Sequence, residues 1–229
     1  MKNFFTLIFV LIFQNLYFGQ NTDVEFHLKF NEKDIAFGET YISKKKDTLS
    51  FETLRFYISS FQIIYKNDEV FSEKDSYHLI DQSDKESLIF KIPVNSKKEI
   101  KAIKFNIGVD SLASVSGAMS GDLDATKGMY WAWQSGFINM KIEGISKSAN
   151  TRKNKFHLHV GGYLAPNYAM RTIELKVEKG QVKNNIIHIN ADFSKLFENI
   201  SLSKTNSVMI PGEEAMKIAD YSTKIFSIP

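Results

Sequence analysis

The chain has 229 residues, a formal net charge of +3, five histidines, seven methionines, two tryptophans and no cysteine. Without thiols, Cys nucleophiles, thiolate metal sites, iron-sulfur clusters and disulfides are excluded, and soft-metal chemistry is left to His and Met. The nearly balanced charge, with no basic stripe interleaved with aromatics, argues against nucleic acid as a partner.

Residues 1–20 read as a secretory signal: Lys2 gives a basic start, residues 4–13 are an almost unbroken apolar run, and Phe18-Gly19-Gln20 offers a small residue for cleavage. That run is shorter than the ~20 residues a membrane span needs, and no later segment approaches this length. The expectation is a periplasmic or secreted protein without a membrane span, whose residues 21–229 form one domain. From there period-two alternation dominates. Leu54, Phe56 and Ile58 alternate with Arg55, Tyr57 and Ser59, and Ile103, Phe105, Ile107 and Val109 alternate with Lys104, Asn106 and Gly108. Strands are predicted over residues 24–30, 54–59, 61–66, 77–81, 87–92, 103–109, 137–145, 155–160, 170–178 and 184–190. Lys44-Lys45-Lys46 reads as a solvated hairpin loop. Short helices are expected only over 192–197, where Asp192 caps, and 213–225. Many strands, few and mainly C-terminal helices, and no βαβ rhythm predict an all-β fold, a mainly antiparallel β-sandwich. The longest stretch without periodicity, residues 110–129, delivers the chain to the most informative segment.

That segment is Gly128-Met129-Tyr130-Trp131-Ala132-Trp133-Gln134-Ser135-Gly136, which places both tryptophans in one glycine-bounded turn. Large indoles with an N–H to satisfy mark either a packed corner or a site. A second segment, Phe156-His157-Leu158-His159-Val160-Gly161-Gly162, puts two imidazoles on one face of a strand and three apolar side chains on the other, the geometry of a small chelating pair. His78, in Tyr77-His78-Leu79-Ile80-Asp81, is a further candidate ligand, whereas His27 and His188 read as separate structural histidines. Asp122 and Asp124 have oxygen donors at calcium-loop spacing, but Trp133 occupies the place a bidentate Glu would need, so these carboxylates read as shaping a solvated loop. No hydrolase elbow, phosphate loop or dinucleotide fingerprint is present, and no nucleophile or base pair can be named. The expectation is a protein without enzymatic turnover.

The chain resembles the MbnP-like family of exported copper-binding proteins, which is related to the copper proteins MopE and CorA. The likeness spans residues 24–179 and rests on Leu54-Arg55-Phe56-Tyr57-Ile58-Ser59, Tyr77-His78-Leu79-Ile80-Asp81, Phe105-Asn106-Ile107-Gly108-Val109-Asp110, the Trp131-Ala132-Trp133 element with Glu143-Gly144 after it, and His159-Val160-Gly161-Gly162-Tyr163. It implies a periplasmic β-sandwich that binds copper through histidines and, in some relatives, carries a tryptophan oxidised to kynurenine by a di-haem enzyme of the MauG type, MbnH. Carried over, Trp131 and Trp133 match the Trp-x-Trp element as the indoles at the copper site, and His159 matches the His before Gly-Gly. Some relatives place a His where this chain has Tyr130 or Ala132, and a His-Pro where it has Asp122-Leu123-Asp124. The missing imidazole leaves a gap to be filled by His157, His78 or Met129. The alternative is a metal-free interaction module that binds a glycan, peptide or protein through exposed aromatics of the Trp turn.

Overall fold

Which face of each strand turns inward is set by side-chain alternation, and the first strand shows it. In β1 (Thr22–Phe30), Val24, Phe26, Leu28 and Phe30 are buried, while Glu25, His27 and Lys29 face outward. The computed structural model describes residues 21–94, 98–117, 119–134 and 136–229; the candidate secretory signal, residues 1–20, lies outside them. The remaining strands are β2 (Lys33–Asp34), β3 (Tyr41–Ile42), β4 (Thr48–Tyr65), β5 (Val70–Ser72), β6 (Tyr77–Asp81), β7 (Ile89–Ile92), β8 (Ile100–Ile107), β9 (Ile138–Ser146), β10 (Lys155–Gly161), β11 (Tyr163–Leu164), β12 (Asn167–Tyr168), β13 (Arg171–Lys176), β14 (Ile186–Asp192), β15 (Ser207–Val208) and β16 (Phe226–Ser227). Helices are few: α1 (Ser111–Ser116), α2 (Phe193–Phe197) and α3 (Glu213–Ser222).

Two sheets pack face to face in a sandwich-like arrangement. The smaller has the order β16, β14, β1, β2, with β7 also on β1; the larger has the order β13, β8, β4, β9, β10, β15, with β3, β5 and β6 also on β4. Most pairs are antiparallel, but each sheet is mixed: β1 runs parallel to β14 and β10 parallel to β15. The sheets are joined by aromatic packing. The Phe26 ring of β1 meets Phe56 of β4 at 6.1 Å and Phe105 of β8 at 6.2 Å, both edge-on. The same ring contacts Phe90 and Phe226 of its own sheet at 6.2 and 6.4 Å.

Three departures from the sequence reading have physical causes. The segments expected as separate strands at 54–59 and 61–66 are one strand, β4. Ser60 adopts φ 52° and the register against β8 slips between Ser59 and Gln62, so a bulge moves the buried positions from Leu54, Phe56 and Ile58 to Phe61, Ile63 and Tyr65. The strand expected at 87–92 begins as a 3₁₀ turn (Lys85–Leu88) capped by Asp84, leaving β7 only residues 89–92. The aperiodic 110–129 segment holds α1, whose first turn is capped by Asp110 accepting from the Ala113 N–H at 3.0 Å, and two 3₁₀ turns.

That segment covers the outer face of the large sheet, where Leu123, Met129, Trp131 and Phe137 join Tyr57 and Leu79 in a second small core. It is pinned there by Asp122, whose Oδ2 accepts from the Leu79 N–H at 3.1 Å and whose carbonyl accepts from the Tyr57 hydroxyl at 2.9 Å. No helix among the described residues is long and apolar enough to cross a membrane.

Because Phe26 touches rings in both sheets, Phe26→Ala is expected to cost about 3–5 kcal/mol in urea unfolding. Phe37→Ala, at a position 39% exposed, is expected to stay within about 0.5 kcal/mol.

Candidate metal centre

Phe156, Leu158 and Val160 of β10 are buried in the main core, which forces His157, His159 and Gly161 to the opposite face. β9 runs antiparallel beside β10 with Glu143 opposite His157 and Lys141 opposite His159. Met140 and Ile142 hold β9 in the core, so Glu143 faces outward with the two histidines. Its Oε1 lies 2.7 Å from His159 Nε2 and 3.5 Å from His157 Nδ1. Oε2 accepts from the Thr53 hydroxyl at 2.9 Å across the β4 pairing, and Lys141 Nζ is 3.8 Å from Oε1.

One ligand atom from each of Glu143, His157 and His159 lies within 4.8 Å of the others. The cluster is graded in exposure: the side chains of His159, Glu143 and His157 are 7%, 22% and 37% exposed, so the open side lies at His157. The His157 Nδ1 atom is itself buried and has no hydrogen-bond partner among the described residues, the Glu143 carboxylate facing it at 3.5 Å. The His159 hydrogen bond, aided by Thr53 and Lys141 and opposed by burial, pulls the Glu143 carboxyl from 4.5 down to about 2. Two imidazoles and an ionised carboxylate in this spacing fit a late first-row transition ion, for which bonds of about 2.0–2.2 Å are usual.

The Trp turn is the hairpin that leads into β9. It is closed by the Trp131 N–H donating to the Gly136 carbonyl at 2.9 Å and the Ile138 N–H donating to the Met129 carbonyl at 2.8 Å. Trp131 is 7% exposed and lies over Gly161, two residues beyond His159; a Cβ at Gly161 would come within 2.6 Å of Trp131 Cζ3. A glycine is therefore required for the indole to reach the histidine strand. Trp133 is 65% exposed, with its ring centroid 5.9 Å from that of Trp131. Gly136 leaves room for Tyr163, as a Cβ there would meet the Tyr163 ring at 2.8 Å.

The sequence candidates divide accordingly. His157 and His159 come together; His78 does not join them. Its partner across β4 is the core-facing Ile58, and its ring stacks on Phe90 at 3.7 Å with Nε2 2.9 Å from Glu73 Oε2, on the opposite side of the sheet. Met129 is fully buried in the small core. Asp122 pairs with Lys127 Nζ at 2.6 Å and Asp124 accepts from the Thr126 N–H at 2.8 Å, so both carboxylates shape the loop as expected, but Asp122 also fastens it to the sheet at the Leu79 N–H rather than leaving it solvated. His27 and His188, expected to stand apart, hydrogen-bond to each other on the outer face of the small sheet. The residue that sequence reasoning missed is Glu143. It stood in a quoted block, but only the β9–β10 register reveals that it faces both histidines.

Glu143 should also leave an acid signature in the metal-free protein. A carboxyl held at about 2 when folded and 4.5 otherwise stabilises the fold fully above about pH 4.5, and that contribution is lost as the pH falls toward 2. Wild type is expected to exceed Glu143→Gln in urea-unfolding free energy at pH 6, with the gap shrinking steadily as the pH falls from about 4.5 toward 2. A pH-independent gap would contradict this.

Comparison with known proteins agrees with this architecture. The MbnP family model matches residues 19–210. Among solved structures, the chain is similar to MbnP from Methylosinus trichosporium with a TM-score of 0.62 and 14% identity, covering 84% of this chain and 82% of that one. Identity that low speaks for the fold alone. Among curated proteins no significant sequence relative is found. With 19–210 of its 229 residues matched by one family model, the chain belongs to the MbnP family.

Proposed function

We propose that this chain is an exported, methanobactin-associated copper-handling protein without turnover of its own, and that it holds copper between His159 and His157 beside Trp131. The observation that carries the reading is the convergence of two imidazoles and Glu143 on a strand whose Gly161 takes a buried indole, with His157 Nδ1 left without a hydrogen-bond partner among the described residues. Imidazole suits both copper oxidation states, and Cu(II) binds such nitrogen and oxygen donors more tightly than the other divalent first-row ions do. Copper is the cargo here. The chain contributes the ligands and the carboxylate that orients His159.

The same geometry supports a role as substrate of a di-haem MauG-type peroxidase that converts a tryptophan to kynurenine: two equivalents of hydrogen peroxide are reduced to water as the indole C2–C3 bond is cleaved, and hydrolysis then releases C2 as formate. Trp131 is the indole against the histidine strand, so it is the residue assigned to modification. Trp133 lies on the surface in ring contact with it and offers an electron path to a partner that cannot touch Trp131. Leu112, Val115 and Met119 of the covering segment are also exposed apolar residues, which supports a docking face for that partner. The same exposed Trp133 favours the second reading, a metal-free module that binds a peptide or glycan.

Competition titration of the mature protein with Cu(I) is expected to give one site whose affinity falls at least about tenfold in His159→Ala, with indole fluorescence quenched in step. Unchanged affinity in the variant would remove the assignment, and no stoichiometric quenching would favour the metal-free module. When the protein is produced together with a di-haem partner, the Trp131 peptide is expected to gain an oxygen and lose a carbon, and Trp133→Phe should lower the yield. Modification confined to Trp133 would contradict the assignment.

A further inference from the structure

On the far side of the sandwich a second cluster repeats the composition of the first. β1 and β14 run parallel with Glu25 opposite His188 and His27 opposite Asn190. Paired residues share a face in a parallel ladder, and Val24, Phe26, Ile187 and Ile189 take the core side, so Glu25, His27 and His188 all emerge on the outer face. His27 Nε2 lies 3.0 Å from His188 Nδ1, His188 Nδ1 lies 3.2 Å from Glu25 Oε2, and His27 Nε2 lies 3.9 Å from Glu25 Oε1. The two rings are tilted by 34° with centroids 5.2 Å apart. Each side chain is about a third exposed, so the three donors meet at a point that solvent also reaches.

We propose that Glu25, His27 and His188 form a second metal site, one that takes a divalent late first-row transition ion such as Zn(II) or Cu(II). Two imidazoles and a carboxylate with a solvent-facing position are a donor set such ions favour, and one atom from each residue already lies within 4.8 Å of the others. The site differs from the one on β10 in having, among the described residues, no indole packed on its strands. It also differs in what it connects. His27 and His188 are 161 positions apart, and they sit on the parallel pair that joins the first strand to β14. An ion here clamps that pair, so binding is coupled to the stability of the fold.

The test uses the full mature protein carrying His157→Ala and His159→Ala, so that the first cluster cannot contribute. Calorimetric titration with Zn(II), and separately with Cu(II), is expected to show one ion per chain and a higher thermal unfolding midpoint in its presence. Adding His188→Gln should lower the affinity at least about tenfold and abolish the rise in midpoint. His27→Gln provides the same comparison should the first variant fold poorly. In the wild-type protein, Zn(II) should shift the ring resonances of His27 and His188 together. Unchanged affinity in either folded variant, failure of the doubly substituted protein to bind either ion, or titration shifts confined to His157 and His159 would overturn the proposal.

Discussion

The antiparallel register between β9 and β10 is the constraint on which the candidate site rests. Phe156, Leu158 and Val160 fill the core from one strand, and Met140 and Ile142 fill it from the other. A slip of one residue would drive His157 and His159 into apolar surroundings and bring their neighbours to the surface, at a cost of several buried side chains worth about 1.5–3 kcal/mol each. Packing on the inner face thus fixes the donors on the outer face. Glu143 faces His157 because β9 is held in that register, and Thr53 reaches the same carboxylate because β4 pairs on the other side of β9.

The Trp turn is tied to this arrangement through backbone continuity. The hairpin that carries Trp131 ends at Ile138, the first residue of β9 and the partner of Gly161 on β10. The indole therefore arrives at the histidine strand by construction, and the missing side chain of Gly161 gives it room. Residues 110–129 complete the environment by spreading a small apolar core over the sheet, fastened by the Asp122 and Asp110 carboxylates, the latter accepting from the Tyr77 hydroxyl. The result is a cluster open at His157 and buried at His159, which lies two residues along β10 from the glycine on which the indole packs.

Much of this was legible in the sequence because strand alternation is a local signal. The division of the His157 to Val160 segment into a polar and an apolar face, the Asp192 cap and the scarcity of helix all follow from neighbours in the chain. What was hidden depends on pairings between distant segments. Glu143 reads as one carboxylate among many until β9 is aligned with β10. His27 and His188 look solitary until two strands from opposite ends of the domain are laid side by side in parallel. The bulge at Ser60 was invisible because each half of β4 alternates correctly by itself. His78 was misleading for a related reason, since its strand position leaves its face undetermined until its pairing with Ile58 is known.

The most direct measurement of the central claim is anomalous diffraction at the copper edge from crystals of the mature protein loaded with one equivalent of copper. The account predicts a peak within bonding distance of His159 Nε2 and His157 Nδ1, beside the Trp131 ring. A copper-loaded crystal with no peak between those two imidazoles would contradict it.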